Sequence, residues 1–195
     1  GGKHSPYVEH DPVAPLGVYG QSKAEGDEAV RRLLPRHLTL RVSWVFGIHG
    51  HNFVKTMLQL AREREEVRVV SDQFGCPTYA GDIADTLLNL VGRSTEIDAN
   101  DAWGTYHYCG TPVTTWHNFV SAIIEQAQTF EALRVQTITA IATADYPTPA
   151  ARPANSVLDS SRLSFCFGIL PRPWRDGLHA LLVALHADGS KRPAG

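Results

Sequence analysis

Apolar residues recur along most of this chain at the three-and-four spacing of one helix face, interrupted by short β-rich runs. Val18 to Leu34 is predicted as a helix, with Ala24, Ala29, Val30, Leu33 and Leu34 as its apolar stripe. His37 to Val42 reads as a short buried strand leading into Ser43-Trp44-Val45-Phe46-Gly47. Asn52 to Glu65 repeats the helical pattern, with Phe53, Val54, Met57, Leu58 and Leu60 on one side, and Val67 to Val70 reads as a strand. The alternation continues with helix from Asp82 to Val91, strand from Thr105 to Cys109, helix from Thr115 to Gln128 and strand from Val135 to Ile141. A last helix runs from Trp174 to His186. Extended loops are expected at Ser5-Pro6, Asp11-Pro12 and Ala14-Pro15, because a proline biases the residue before it away from helix; Pro147, Pro149 and Pro153 mark another. Strands alternating with helices of this length specify an α/β architecture.

Composition narrows the class. With 195 residues, 43% of them hydrophobic and 19% charged, the chain can bury a real core as one domain or a lobe with an appendage. A net charge of −2 supplies no basic surface for nucleic acid and no polybasic arm for a membrane. The run from Leu178 to Leu185 is too short to span a bilayer and contains His179. Cys76, Cys109 and Cys166 are odd in number and lack C-x-x-C spacing, which argues against a disulfide framework or zinc site and fits a reducing cytoplasm. The chain starts Gly1-Gly2-Lys3 without methionine and reads as beginning inside a longer polypeptide.

The candidate chemistry starts at Tyr19-x-x-x-Lys23. Four residues apart on a helix is one turn on one face. An ammonium beside a phenol favours the phenolate, so the phenol gives up its proton more readily. That suits a carbonyl which receives hydride while its oxygen needs a proton. The spacing alone is weak, since an exposed tyrosine and a solvated lysine produce it equally well. No G-x-G-x-x-G or G-x-x-G-x-x-G run occurs, so the phosphate-cradling turn of a dinucleotide fold is not in these residues.

Longer runs make the assignment specific. They are Pro6-Tyr7-Val8-Glu9, Tyr19-Gly20-Gln21-Ser22-Lys23-Ala24-Glu25-Gly26, Arg41-Val42-Ser43-Trp44-Val45-Phe46-Gly47 and Asn52-Phe53-Val54-Lys55-Thr56-Met57. Asp72-Gln73-Phe74-Gly75-Cys76-Pro77-Thr78 and Tyr146-Pro147-Thr148-Pro149-Ala150-Ala151-Arg152-Pro153-Ala154-Asn155-Ser156 follow in order. Together they resemble the dTDP-4-dehydrorhamnose reductase family of the extended short-chain dehydrogenase/reductase superfamily, collinearly from residue 1 to about 175. The resemblance implies the C-terminal part of a Rossmann-like fold. Residues 1–70 would be the remainder of the dinucleotide-binding domain and 71–195 mainly the sugar-nucleotide lobe. It also implies an upstream nucleotide-binding half that carries a third catalytic hydroxyl, so the 195 residues alone are expected to be inactive.

By the same resemblance, Tyr19 is the general acid, and Lys23 holds the nicotinamide ribose of NADPH or NADH. Trp44 stacks on the deoxysugar; Asn52, Gln73, Thr78 and Arg152 contact the dTDP-sugar, with Arg152 suited to a diphosphate. Each has a plainer reading. Trp44 can close a strand end, Asn52 can be a helix cap, Gln73 and Thr78 can flank a loop shaped by Gly75 and Pro77, and Arg152 can form a surface ion pair. His49 and His51 lack a carboxylate or cysteine at ligand spacing, so no metal is expected. His107 reads as a core histidine with a hydrogen-bonded partner, and Trp116, Phe119 and Ile123 read as core. Two rivals remain: another sugar-nucleotide epimerase or dehydratase of the superfamily, and a non-catalytic relative like the regulatory subunit of methionine adenosyltransferase. Homo-oligomerisation is left open, although a strand stripped of its neighbour would expose an edge and promote self-association.

Overall fold

A computed structural model describes residues 2–94, 102–146 and 152–189. The predicted helices form, and two of them carry side-chain caps at their starts. Helix α1 spans Val18–Leu33 and stops before Pro35. Helix α2 spans Phe53–Glu63; the Asn52 side chain at its start accepts a hydrogen bond from the Lys55 N–H. Helix α3 covers Ala80–Ser94, and α4 covers Trp116–Ala127 behind a Thr115 cap whose hydroxyl accepts from the Asn118 N–H. Helix α5, Ser161–Phe167, ends at Gly168 with a left-handed φ of 64°, and α6 spans Trp174–Gly189.

The strands are β1 (Leu38–Val42), β2 (Val45–Phe46), β3 (Glu66–Val70), β4 (Phe74–Gly75), β5 (Thr78–Tyr79), β6 (Gly104–Tyr108), β7 (Thr114–Thr115) and β8 (Thr137–Ile141). They pair as parallel β1–β6, β2–β5 and β3–β8, with β4–β7 antiparallel. Parallel partners lie far apart in sequence, as crossovers through helices require. The fold is α/β. Strand β8 is shorter than the predicted Val135 start, because Val135 instead donates its N–H to the Ala61 carbonyl and packs beside Val67 and Ile124.

Helix α4 is the centre of the core. Phe119, Val120, Ala122, Ile123, Ile124 and Ala127 are all buried on it. One side meets Val54 and Leu58 of α2 and Leu178, Leu181 and Leu182 of α6, while the other meets Val67 and Val69 of β3. A separate cluster joins Leu90, Tyr106, Tyr108, Leu163 and Phe167.

Helix α1 departs from the expected packing. Its apolar stripe meets no core: none of its residues is buried, and Leu33 is 68% exposed. A paired Arg41 Nε and Asp27 carboxylate, 2.7 Å apart, ties it to β1. The extended segment before it is held from the far end of the chain. Tyr7 donates to the Val157 carbonyl, Asp159 donates back to the Tyr7 carbonyl, and Asn155 Nδ2 donates to the carbonyls of Lys3 and Ser5. No described helix is long and apolar enough to cross a membrane.

Candidate functional site

The chemistry collects where Trp44, just ahead of β2, and the C-terminal end of β3 meet the start of α4. A cavity of about 560 Å³ opens there, its lining including Trp44, Phe53, Met57, Arg68, Gln73 and Trp116 together with Thr143, Tyr146 and Arg152. Three predicted contacts from separate parts of the chain, Trp44, Gln73 and Arg152, therefore share one wall system.

Trp44 is fixed by its surroundings. Its φ of 48° is rare for a bulky residue and marks backbone held by the structure around it. Its carbonyl accepts the Thr78 N–H. Its indole lies face to face with Trp116, centroids 3.5 Å apart and planes 9° from parallel, and Phe53 leans on Trp116 with centroids 4.3 Å apart.

Gln73 is buried and donates from Nε2 to the Thr143 hydroxyl at 3.0 Å. That hydroxyl in turn donates to Asp72 at 2.6 Å, and the Thr143 N–H also donates to Asp72. The hydrogen bonds from Thr143 hold the Asp72 carboxyl below its usual range. Asp72, Thr143 and Gln73 thus form one clamp that brings the segment after β8 against the cavity.

Asn52 and Thr78 lie outside the lining. Asn52 accepts from Lys55 and donates to the Gly47 carbonyl. Thr78 is buried; its hydroxyl donates to the Cys76 carbonyl and accepts the Gly110 N–H. Both hold the loops that carry the cavity. Beneath the same turn Cys76 and Cys109 are buried together, and the adjoining Cys109 thiol pushes Cys76 up.

Tyr19 and Lys23 stand apart on α1. The Lys23 ammonium lies 5.5 Å from the Tyr19 ring centroid, and Tyr19 is 77% exposed. The helix does bring the pair onto one face. That open face, with an ammonium beside a phenol, suits the hydroxyl-rich ribose end of a dinucleotide, whereas the sequence has no glycine-rich run of the phosphate-cradling kind.

His107 is buried as expected, with Nδ1 against the Tyr7 carbonyl, while its Nε2 has no hydrogen-bond partner among the described residues. Burial pushes its pKa down. His49 and His51 are exposed, and among the described residues no group of three or more His, Cys, Asp or Glu could hold a metal ion. The Pro147 to Ala151 part of the proline-rich run lies outside the described residues.

Sequence reasoning passed over Arg68, Thr143 and Trp116 as cavity residues. Arg68 occupies an outward position of an alternating strand, which reads as a solvated charge. Trp116 begins a helical apolar stripe and reads as core.

The RmlD substrate binding domain model matches residues 1–187. The chain belongs to that family. A dTDP-4-dehydrorhamnose reductase from Aggregatibacter actinomycetemcomitans is 45% identical over 179 residues, 91% of this chain and 60% of the relative. A crystal structure of a dTDP-4-dehydrorhamnose reductase from Clostridium acetobutylicum superposes with a TM-score of 0.85 at 32% identity, covering 95% of this chain and 61% of that one. The same enzyme from Bacillus anthracis, in complex with NADP, gives a TM-score of 0.80 at 33% identity, covering 92% and 59%. The chain thus spans about three-fifths of the length of these relatives.

Proposed function

We propose that this chain is the catalytic-helix and sugar-nucleotide part of a cytoplasmic reductase that converts dTDP-4-dehydro-L-rhamnose to dTDP-L-rhamnose with NADPH or NADH. The carrying observation is the convergence of Trp44, Gln73 and Arg152 on one cavity of about 560 Å³. A wall with four aromatic side chains, a buried amide and two arginines matches a nucleoside diphosphate sugar, whose base and deoxysugar are flat or apolar and whose centre is anionic. The reductases named above, within the same family, support this choice over an epimerase or dehydratase.

In this reading residues 1–70 face the dinucleotide, and 71–195 form most of the sugar-nucleotide lobe. Lys23 and Tyr19 hold the nicotinamide ribose. When bound, the reduced nicotinamide supplies hydride to the sugar C4. Tyr19 delivers the proton to the C4 oxygen, and Lys23 stabilises the phenolate left behind. Trp44 lines the sugar's pocket with its apolar indole and excludes water from it, while Arg152 and Arg68 fix the diphosphate. Asn52 and Thr78 hold the loops behind these contacts.

NADPH oxidation with the keto sugar tests the proposal in a polypeptide where these residues follow a dinucleotide-binding half. Turnover should fall by about two orders of magnitude or more in Tyr19→Phe, the usual scale of a lost general acid. The 195 residues alone should not turn the sugar over. An unimpaired Tyr19→Phe enzyme would overturn the acid role of Tyr19, and an intact protein without reductase activity that captures a partner enzyme stoichiometrically would overturn the assignment in favour of a regulatory role.

A further inference from the structure

We infer that Trp116 is a positioning residue: by stacking on Trp44 it fixes the orientation of the indole that the sugar meets. This rests on the dTDP-sugar reading of the cavity.

Trp44 does not hold itself. A positive φ of 48° is unfavourable for a tryptophan, so neighbouring groups must determine its place. Two do so. Trp116 lies parallel to the indole at 3.5 Å, and Gly75 lets the backbone come so close that an added Cβ would lie 2.2 Å from Trp44 Cε2 and 2.6 Å from Nε1. These two supports form one unit. Strand β4 pairs with β7 in the register Gly75 opposite Thr114 and Phe74 opposite Thr115, which places Trp116 directly beyond the last pair. Phe53 then packs on Trp116 and Phe119 behind it, so the stack continues into the core. The Trp44 indole therefore sits in a slot whose walls are built by another part of the chain, with Trp116 as the flat wall.

A side chain that only fills space would be replaceable by any apolar residue of similar bulk. A side chain that sets a ring plane requires a flat partner. The test is a double-mutant cycle on this chain with Trp116→Leu, Trp116→Phe, Trp44→Leu and the double leucine variant, read by titration with dTDP-L-rhamnose and by near-ultraviolet circular dichroism without ligand. Trp116→Leu should weaken binding by about tenfold, equivalent to about 1.4 kcal/mol, while Trp116→Phe restores most of it. In the Trp44→Leu background, Trp116→Leu should add less than about a twofold loss, because the ring it positions is already gone. The coupled indole signal of the stack should vanish equally in Trp116→Leu and Trp44→Leu.

Equal losses from Trp116→Leu with and without Trp44, or no loss at all, would overturn the inference. If the unaltered chain binds no dTDP-sugar, the functional reading fails instead. The positioning of Trp44 then stands if the coupled indole signal is present and lost in both single leucine variants, and falls if it is absent.

Discussion

Gly75 and Trp44 occupy nearly the same space: a β-carbon on Gly75 would meet the indole Cε2 at 2.2 Å and Cζ2 at 2.5 Å. Contacts this short force one group to move. Gly75 is followed by the buried Cys76, Pro77 and Thr78, so the backbone is the stiffer partner and the indole must yield.

Gly75→Ala should therefore destabilise the fold by about 1–3 kcal/mol, the usual range for overpacking, and weaken dTDP-sugar binding more than that loss of stability explains. Denaturant midpoints together with ligand titration check this. A variant that binds normally would show that Trp44 does not contact the sugar.

The Asp72 clamp predicts an acid limb for ligand binding. Hydrogen bonds from Thr143 lower the Asp72 pKa below its ordinary value of 3.8, so the clamp is complete at neutral pH and is lost only as pH falls below about 4 through the folded value. Asp72→Asn keeps the shape but removes the charge that strengthens both bonds. The variant should bind dTDP-sugar several-fold more weakly at pH 7 and lose the acid dependence. Titrations at pH 7 and below pH 4 decide it, and identical profiles for the two proteins would refute the clamp.

His107 predicts a second pH effect, on stability. Burial among Tyr7, Glu9, Arg41 and Asp159 holds its imidazole below the ordinary 6.5, even though Glu9 opposes this. The unfolded chain therefore binds the proton first as pH falls. Stability contributed by the neutral ring is complete above pH 6.5 and declines from there toward the lower folded value. His107→Gln should flatten that decline. Urea midpoints at pH 7.5 and 5.5 measure it; the same acid loss in both proteins would assign the effect elsewhere.

Strand β1 pairs with β6 alone among the described residues, and the α1 helix beside it buries none of its side chains. A parallel strand with a free edge and an uncovered apolar helix is a site for association. Light scattering over a concentration series should show the 195-residue chain forming dimers or larger species. A clean monomer throughout would contradict this.

Most of the fold was legible because its helices are long and amphipathic. The Phe53, Val54 and Leu58 face of α2 and the Phe119, Val120 and Ile123 face of α4 do form the core. Strands β2, β4, β5 and β7 were not legible, since two residues carry no period, and α5 is only seven residues long. The apolar residues of α1 were legible as a stripe but not as an uncovered one, because a pattern reports that a face wants a partner and not whether one is present.

Of the residues lining the cavity, Trp44, Gln73 and Arg152 stand out in the sequence through their neighbours in longer motifs. Trp116 was misread as core only. It is the first residue of α4, and helical side chains lean toward the N-terminus, so its ring projects past the helix end over Trp44 and the cavity. Arg68 was missed because strand alternation separates outward from inward positions and says nothing about a cavity on the outward side.

Calorimetric titration of this chain with dTDP-L-rhamnose tests the central claim most directly. Saturable one-site binding is predicted, weakened by about tenfold in Arg152→Ala and in Trp44→Leu, with UDP-glucose binding the unaltered chain more weakly than dTDP-L-rhamnose does. Absence of binding, or equal affinity in the unaltered chain and both variants, would contradict the assignment of this cavity to the sugar nucleotide.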